Sequence, residues 1–91
     1  FYAEWCAACH ELAEKTFSTD EFHELSKQFL LVKFDATEDN EQIRAVLKKY
    51  DVKGLPTVIF INRNGDVIKD LTFTQFLTMD ELRPKMQEAV K

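Results

Sequence analysis

The sequence predicts one α/β domain, a mixed β-sheet flanked by helices. Helix-type and strand-type segments alternate along most of the chain, and the last two strand-type segments are separated by an Asn-Gly turn that favours an antiparallel hairpin. A helical crossover followed by a hairpin gives strands with both parallel and antiparallel neighbours. With 91 residues, the chain is long enough for one core and too short for two.

Composition and charge are those of a folded globular protein and exclude some partners. Hydrophobic residues make up 45% of the chain and charged residues 31%, near the globular average. The net charge of −4 leaves no basic surface for nucleic acid or an anionic membrane. Apolar runs such as residues 29–32 are far shorter than the ~20 residues of a membrane helix. We therefore expect no nucleic-acid partner and no direct membrane insertion by this segment.

The N-terminal segments are a strand end and two helices. Residues 1–3 resemble the end of a strand, so the N-terminal strand is expected to be truncated and the chain to be a piece of a longer protein. Residues 6–15 are rich in helix-forming residues. Ser18 and Glu21 fit a capping box, which predicts a short helix that ends near Gln28.

A buried strand and an amphipathic helix are predicted next. Residues 29–35 form a short apolar run typical of a buried strand. Residues 39–50 are predicted as a helix, with Asp39 as its cap. The apolar positions of this helix follow the spacing of one inward face: Ile43, Val46, Leu47 and Tyr50.

A hairpin and a final helix complete the predicted fold. Residues 57–61 and 66–71 are strands on either side of the Asn-Gly turn. Thr78 and Glu81 form a second capping box and open the C-terminal helix. Pro84 lacks the N–H of a helix-interior residue, so this helix is expected to kink or to start later than Thr78 indicates.

Cys6 and Cys9 supply the reactive chemistry of the sequence. In the first turn of a helix, residues three apart have Cα atoms about 5–5.5 Å apart, a separation that a disulfide tolerates. Cys6 faces unpaired backbone N–H groups and the positive helix end, both of which favour a thiolate. Cys6 is therefore the candidate nucleophile and Cys9 the candidate resolving thiol. The pair itself is the expected redox group, with no further cofactor and no metal.

Three other uses of the cysteines stay open at this point. A static disulfide would close only a four-residue loop and would stabilise the fold little. The residues from Cys6 to His10 also satisfy the C-x-x-C-H pattern of covalent haem attachment, with His10 as axial ligand, although the predicted strands count against a small helical cytochrome. Zinc needs four ligands, and the sequence offers only Cys6, Cys9, His10 and the isolated His23.

Two motifs carry a resemblance to a known family. The first is W-C-x-x-C, residues 5–9, at a predicted strand-to-helix junction. The second is G-x-P-T, residues 54–57, at the start of an apolar strand. Together they resemble the thioredoxin superfamily, which implies a thioredoxin-like fold for a single domain over residues 1–91.

A closer resemblance runs over nearly the whole chain. Residues 14–18, 35–40 and 76–78 are similar to the C-terminal domain of the DsbD family of thiol:disulfide interchange proteins. That resemblance implies a protein-disulfide reductase that works by dithiol–disulfide exchange. It also implies a periplasmic domain of an inner-membrane protein, which receives electrons from a membrane-embedded donor and passes them to a periplasmic acceptor domain. A stand-alone thioredoxin-like reductase would show the same cysteines and is the alternative.

The resemblance also assigns roles to single residues. Cys6 matches the exposed attacking cysteine, and Cys9 matches the buried resolving one. Trp5 matches the aromatic residue beside the disulfide. Leu55 matches the residue whose backbone pairs with the partner's chain, and Pro56 matches a proline that follows a cis peptide bond.

The remaining candidate residues surround these positions. Thr57 is expected to join Trp5, Leu55 and Pro56 in framing the docking surface. Glu4 and His10 are candidates for tuning the pKa of Cys6, because a nearby carboxylate opposes thiolate formation and a nearby imidazolium favours it.

Overall fold

Four α-helices and a small set of paired backbone segments make up the computed structural model, which describes residues 1–90. The helices are α1 (Ala7–Glu11), α2 (Asp20–Ser26), α3 (Glu41–Lys49) and α4 (Met79–Ala89). A π-helical turn at Leu12–Thr16 continues α1, so the predicted helix over residues 6–15 is present with a widened second half. Among residues 1–90, every helix is too short or too polar to traverse a bilayer.

The parallel part of the predicted mixed sheet lies at the N-terminus. Tyr2 pairs in parallel with Asp35. The Tyr2 N–H donates to the carbonyl of Phe34 at 3.0 Å, and the Ala36 N–H donates to the carbonyl of Tyr2 at 2.7 Å. The segment that carries the cysteines therefore starts from the middle of the sheet.

Antiparallel pairing continues the sheet on the other side of residues 1–3. The Phe1 amine donates to the Thr57 carbonyl at 2.9 Å, and the Thr57 N–H donates back to the Phe1 carbonyl at 3.3 Å. This reciprocal exchange is the hydrogen-bonded pair of an antiparallel ladder. Val58 then pairs antiparallel with Phe73. The order of segments is 34–36, 1–3, 57–58 and 73, so the sheet is mixed, as predicted, and consists of short pairings.

The predicted hairpin is antiparallel, but its second strand is interrupted. Ile61 pairs with Val67, and the Gly65 N–H donates to the Asn62 carbonyl at 3.0 Å across the turn. Gly65 has φ of 86°, a value that glycine adopts without a Cβ clash. The expected strand over residues 66–71 gives way to a 3₁₀ turn at Lys69–Leu71. This turn places the Leu71 side chain in the core, and antiparallel pairing resumes only at Phe73.

The apolar run in residues 29–35 is not a buried strand. Leu30, Leu31 and Val32 are 91%, 57% and 79% exposed. Residues 1–3 pair through their backbone with residues 34–36. That pairing leaves Leu30, Leu31 and Val32 uncovered. The prediction was wrong because a run of apolar residues does not specify which neighbours are available to cover it.

The N-cap residues of α2 and α3 each lie one position after the predicted ones. Thr19, not Ser18, caps α2, because its hydroxyl oxygen accepts the Phe22 N–H at 3.1 Å. Asn40, not Asp39, caps α3, because its side-chain oxygen accepts the Ile43 N–H at 2.9 Å. The helices also end earlier than predicted, α2 at Ser26 and α3 at Lys49. The four apolar positions of α3 are half-buried and lie on one face, as predicted.

The capping box of α4 is confirmed, and the expected late start is wrong. Thr78 accepts the Glu81 N–H at 3.3 Å, while the Glu81 carboxylate accepts the Thr78 N–H at 3.0 Å. The helix runs through Pro84 without interruption. The carbonyl that Pro84 leaves without its helical N–H partner belongs to Asp80, an exposed first-turn residue within reach of solvent.

An ion pair connects α4 to α2. The Arg83 guanidinium binds both carboxylate oxygens of Glu21 and one oxygen of Asp80. The hydrogen bond with Arg83 lowers the pKa of Glu21 below its ordinary value. The hydrogen bonds to Glu21 and Asp80 also raise the pKa of Arg83. Both side chains are more than a third exposed, so the pair contributes little to stability.

Two groups of buried side chains hold the structure together. The larger core joins the π-helical turn, the hairpin and α4: Leu12, Phe60, Leu71, Phe73, Leu77, Met79, Leu82 and Met86. The smaller core consists of Ala3, Cys6 and Cys9, with Leu55 packed against it. The cysteines are therefore part of the packing that attaches α1 to the sheet.

Candidate active site

The two cysteines form a disulfide at the beginning of α1. Cys6 is the N-cap residue of the helix, and its Sγ is bonded to Sγ of Cys9. Their Cα atoms are 5.2 Å apart, within the range expected from the spacing in the sequence. The Cys9 N–H points at Cys6 Sγ at 3.2 Å. In the reduced protein the same N–H would stabilise a Cys6 thiolate, because a hydrogen bond to the charged form favours that form.

Exposure does not distinguish the two cysteines. Cys6 is 5% exposed and Cys9 is 8% exposed, so the exposed Cys6 that the resemblance implies is not present in this oxidised state. The reason is that Cys6 packs with Ala3 and Leu55 in the smaller core. The difference between the two thiols lies in their position on the helix: only Cys6 is at the cap.

Trp5 and Leu55 border the disulfide on the surface. Trp5 is 68% exposed, an unusual position for the only tryptophan of the chain. Leu55 is half-buried against the cysteines. The Leu55–Pro56 peptide bond is cis, as the resemblance implies, and Pro56 is buried.

Thr57 does not lie on the surface where the sequence interpretation placed it. Its side chain is 3% exposed, and its hydroxyl donates to the Gly54 carbonyl at 2.6 Å. Its backbone pairs with Phe1. Thr57 therefore stabilises the loop before Pro56 through its bond to Gly54. Its side chain is too buried to contact a partner.

A groove of about 200 Å³ opens between Trp5, the neighbour of Cys6 in the chain, and Leu55, which packs against the cysteines. Its walls come from Trp5, the paired segment at Ala36, the second half of α3 and the loop after it: Trp5, Ala36, Leu47, Val52, Lys53, Gly54 and Leu55. The apolar lining and the exposed indole suit the docking of an extended chain next to the cysteines. The sequence interpretation named only Trp5 and Leu55 from this set.

The His10 side chain contacts the backbone of Glu4, in the turn before Cys6. The His10 Nε2 lies 2.7 Å from the Glu4 carbonyl, and it donates because a carbonyl oxygen only accepts. The Glu4 side chain is exposed and borders a hollow of about 250 Å³ lined also by Asp35, Thr37, Glu38 and Ile43. Within residues 1–90, no cluster of three or more Cys, His, Asp or Glu is arranged to hold a metal ion.

Sequence reasoning missed Thr37, which contacts the turn before the cysteines. Its hydroxyl accepts the Glu4 N–H at 2.9 Å, and its carbonyl accepts the Trp5 indole N–H at 3.3 Å. Asp35 in turn accepts hydrogen bonds from the hydroxyl and the N–H of Thr37, and these bonds lower the pKa of Asp35. The signal was an aspartate two residues before a threonine at the end of a strand, a local pattern in which the Asp side chain binds the backbone two residues on.

Comparison with known proteins agrees with this geometry. The family model described as a thioredoxin-like domain matches residues 1–88. The chain belongs to the thioredoxin-like family. Its cysteine pair and its cis proline stand where the superfamily resemblance places them.

Several DsbD proteins are similar to this thioredoxin-like domain. The thiol:disulfide interchange protein DsbD of Yersinia pestis (strain Pestoides F) is 35% identical over 86 residues, which covers 94% of this chain and 14% of that protein. DsbD of Pectobacterium atrosepticum is 33% identical and covers 96% of this chain and 15% of that protein. The domain thus spans about a seventh of the length of these relatives.

Solved structures show the same fold. The C-terminal domain of Neisseria meningitidis DsbD in its reduced form superimposes with a TM-score of 0.87 at 26% identity, covering 98% of this chain and 76% of that chain. The oxidised form gives a TM-score of 0.88 at the same identity and covers 75% of that chain. The thioredoxin-like fold predicted from the sequence is confirmed, with shorter strand pairings than expected.

Proposed function

We propose that this thioredoxin-like domain is a protein-disulfide reductase that works by dithiol–disulfide exchange. The observation that carries the proposal is the Cys6–Cys9 disulfide at the cap of α1, with the Cys9 N–H directed at Cys6 Sγ. The groove beside Trp5 and Leu55 supports it, because exchange between proteins needs a surface on which the partner's chain can lie. The similar DsbD proteins are named thiol:disulfide interchange proteins.

The reaction proceeds in two sulfur displacements. The Cys6 thiolate attacks one sulfur of a partner disulfide, forming a mixed disulfide and releasing the partner's other sulfur as a thiolate that takes up a proton. Cys9 then loses its proton and attacks Cys6 Sγ, which releases the second partner sulfur. Two electrons and two protons pass to the partner. The domain is left with the Cys6–Cys9 disulfide seen in the structure.

This chemistry and the similar DsbD proteins support a proposal about the partners. We infer a periplasmic domain of an inner-membrane protein that accepts electrons from a membrane-embedded thiol donor and delivers them to a periplasmic acceptor domain. The disulfide is then the only redox group that the domain needs, with no additional cofactor or metal. A stand-alone reductase with the same cysteines would reduce its partners by the same two steps.

The first experiment measures the equilibrium reduction potential of the cysteine pair. The domain is equilibrated in graded thiol/disulfide buffers, free thiols are alkylated, and the protein is weighed by mass spectrometry. A reversible two-electron transition at roughly −200 to −270 mV supports a reducing role, whereas a value near −120 mV identifies a disulfide donor and reverses the proposed direction. The absence of any reversible transition contradicts the exchange mechanism.

Single cysteine variants assign the two displacements. Cys6→Ser is expected to abolish reduction of a protein disulfide such as insulin. Cys9→Ser is expected to accumulate a mixed disulfide between Cys6 and the substrate, because nothing resolves it. Ala13→Ser, which introduces the same side chain at an exposed position one turn beyond Cys9, is the control and keeps full activity. Unchanged reduction by Cys6→Ser would refute the proposed nucleophile.

A further inference from the structure

The turn that carries the attacking cysteine is held from two sides. The Glu4 N–H donates to Thr37 Oγ1 at 2.9 Å, and the Glu4 carbonyl accepts from His10 Nε2 at 2.7 Å. The Cys6 N–H closes the turn on the Ala3 carbonyl at 3.1 Å. Both backbone polar groups of Glu4 are thus satisfied by side chains from other parts of the chain. The backbone path into Cys6 depends on these two contacts, because residues 4 and 5 lie outside the helix and the sheet pairings.

The hydroxyl, N–H and carbonyl of Thr37 all make hydrogen bonds next to this turn. Its hydroxyl accepts from Glu4 and donates to Asp35, and its N–H donates to the same Asp35 carboxylate oxygen at 2.9 Å. Its carbonyl accepts the indole N–H of Trp5 at 3.3 Å. The Asp35 backbone is fixed in turn by its parallel pairing with Tyr2 in the sheet. A continuous chain of hydrogen bonds therefore runs from the sheet through Thr37 to Trp5.

We propose that Thr37 is a positioning residue that holds the Trp5 indole and the turn before Cys6 in the orientation needed for partner docking. The inference rests on the proposed exchange function. Trp5 is 68% exposed, so packing leaves much of its side chain free, and the bond to Thr37 restricts its orientation. Because Trp5 forms a wall of the groove that also contains Leu55, fixing the indole preforms the groove. A preformed groove lowers the entropy cost of docking an extended partner.

The test compares two substitutions at one position. Thr37→Val has nearly the same shape and removes only the hydroxyl, which takes away the acceptor of the Glu4 N–H and one of the two donors to Asp35. The Thr37 carbonyl that accepts the Trp5 indole N–H is kept, so the variant acts on Trp5 through the loosened turn. Thr37→Ser keeps the hydroxyl. Thr74→Val, at an exposed threonine outside the site, is the matched control. Thermal unfolding of each variant verifies that it is folded.

Two readouts do not depend on activity. The first is hydrogen exchange of the Glu4 amide by NMR, expected to be protected in the unmodified domain and at least about tenfold faster in Thr37→Val. The second is the fluorescence anisotropy of Trp5, the only tryptophan, expected to fall in Thr37→Val because the turn that carries the indole is no longer bound to the residue 37 side chain. Thr37→Ser and Thr74→Val should match the unmodified domain in both. An unprotected Glu4 amide in the unmodified domain overturns the proposal without any variant.

The kinetic readout separates docking from chemistry. For insulin reduction recycled by dithiothreitol, Thr37→Val should raise KM about 3- to 10-fold while kcat changes less than about twofold. Reaction with cystamine, which is too small to use the groove, should be unchanged. Equal behaviour of Thr37→Val and Thr37→Ser, or a loss confined to kcat, would overturn the positioning role. Failure of the exchange function itself would appear differently, as full activity in Cys6→Ser.

Discussion

Residues of the active-site turn owe their orientation to partners far away in the chain. Thr37 is 32 residues from Trp5, yet its carbonyl receives the indole N–H. Thr57 is 56 residues from Phe1, and their backbones pair. Cys6 is the exception, because its contact with the Cys9 N–H follows from its place at a helix cap. Local spacing accounts for the disulfide, and distant contacts account for the surface around it.

Asp35 is a single residue that is expected to make the stability of the fold depend on pH. The hydroxyl and N–H of Thr37 lower the pKa of Asp35 below its ordinary value of 3.8. A carboxylate with a lowered folded-state pKa stabilises the fold above the ordinary pKa, and its contribution is lost as the pH falls through the folded pKa. The melting temperature of Asp35→Ala should therefore lie below that of the unmodified domain at pH 6, and the difference should shrink as the pH falls below about 4.

Asp66→Ala is the control for this pH series. It removes a carboxylate of the same kind from an exposed turn, where Asp66 bonds to Asn62 through its backbone. Its effect on melting at pH 6 should be smaller than that of Asp35→Ala. A difference between Asp35→Ala and the unmodified domain that stays constant from pH 6 to below pH 4 would show that the Thr37 bonds do not favour the ionised carboxylate.

At the scale of elements, helix ends are set by the polar residue whose side chain reaches the first turn. Ser18 and Thr19 are adjacent and chemically similar, and the sequence pattern favoured Ser18. In the structure the Ser18 hydroxyl donates backwards to the Glu14 carbonyl, while Thr19 accepts the Phe22 N–H. Glu21, which would complete a box with Ser18, is held by Arg83 of α4. A tertiary ion pair thus accompanies the shift of the cap by one residue.

The shifted cap predicts unequal effects of two adjacent substitutions. Thr19→Ala should lower the free energy of unfolding by about 1 kcal/mol, because it leaves a first-turn N–H of α2 without its acceptor. Ser18→Ala, the neighbouring control, should change it by less than about 0.5 kcal/mol, as expected for an exposed position. Urea unfolding of both variants measures the difference. The reverse order would assign the cap to Ser18.

At the scale of the whole molecule, the buried side chains form two separate sets, and both cysteines belong to the smaller one. The larger core connects the π-helical turn, the hairpin and α4. The smaller one holds both cysteines against the sheet. The apolar residues 30–32 belong to neither set.

Two leucine substitutions test this division. Leu82→Ala, at a side chain that is 1% exposed, should lower the free energy of unfolding by about 2–5 kcal/mol through lost burial and a residual cavity. Leu30→Ala, at a side chain that is 91% exposed, should change it by less than about 0.5 kcal/mol. Urea unfolding compares the two. Similar losses in both variants would mean that residues 30–32 are buried in solution, as the sequence pattern had predicted.

The sequence by itself determined the elements and the chemistry that depend on nearby residues. The C-x-x-C spacing made the disulfide geometrically possible, the Thr78–Glu81 pair indicated the capping box of α4, and the Asn-Gly turn predicted the antiparallel hairpin. In each case the interacting groups are within a few positions of one another, so propensity and spacing suffice.

Only the tertiary structure decided burial and the surroundings of the cysteines. In the folded chain Leu30 is exposed, Thr57 is buried, and Thr37 contacts the turn before Cys6. These outcomes depend on which distant segment lies next to a residue, and hydrophobic pattern alone does not encode the pairing of residues 1–3 with residues 34–36 and 57. The physical reason is that burial and hydrogen bonding are properties of contacts between segments, whereas sequence patterns describe one segment at a time.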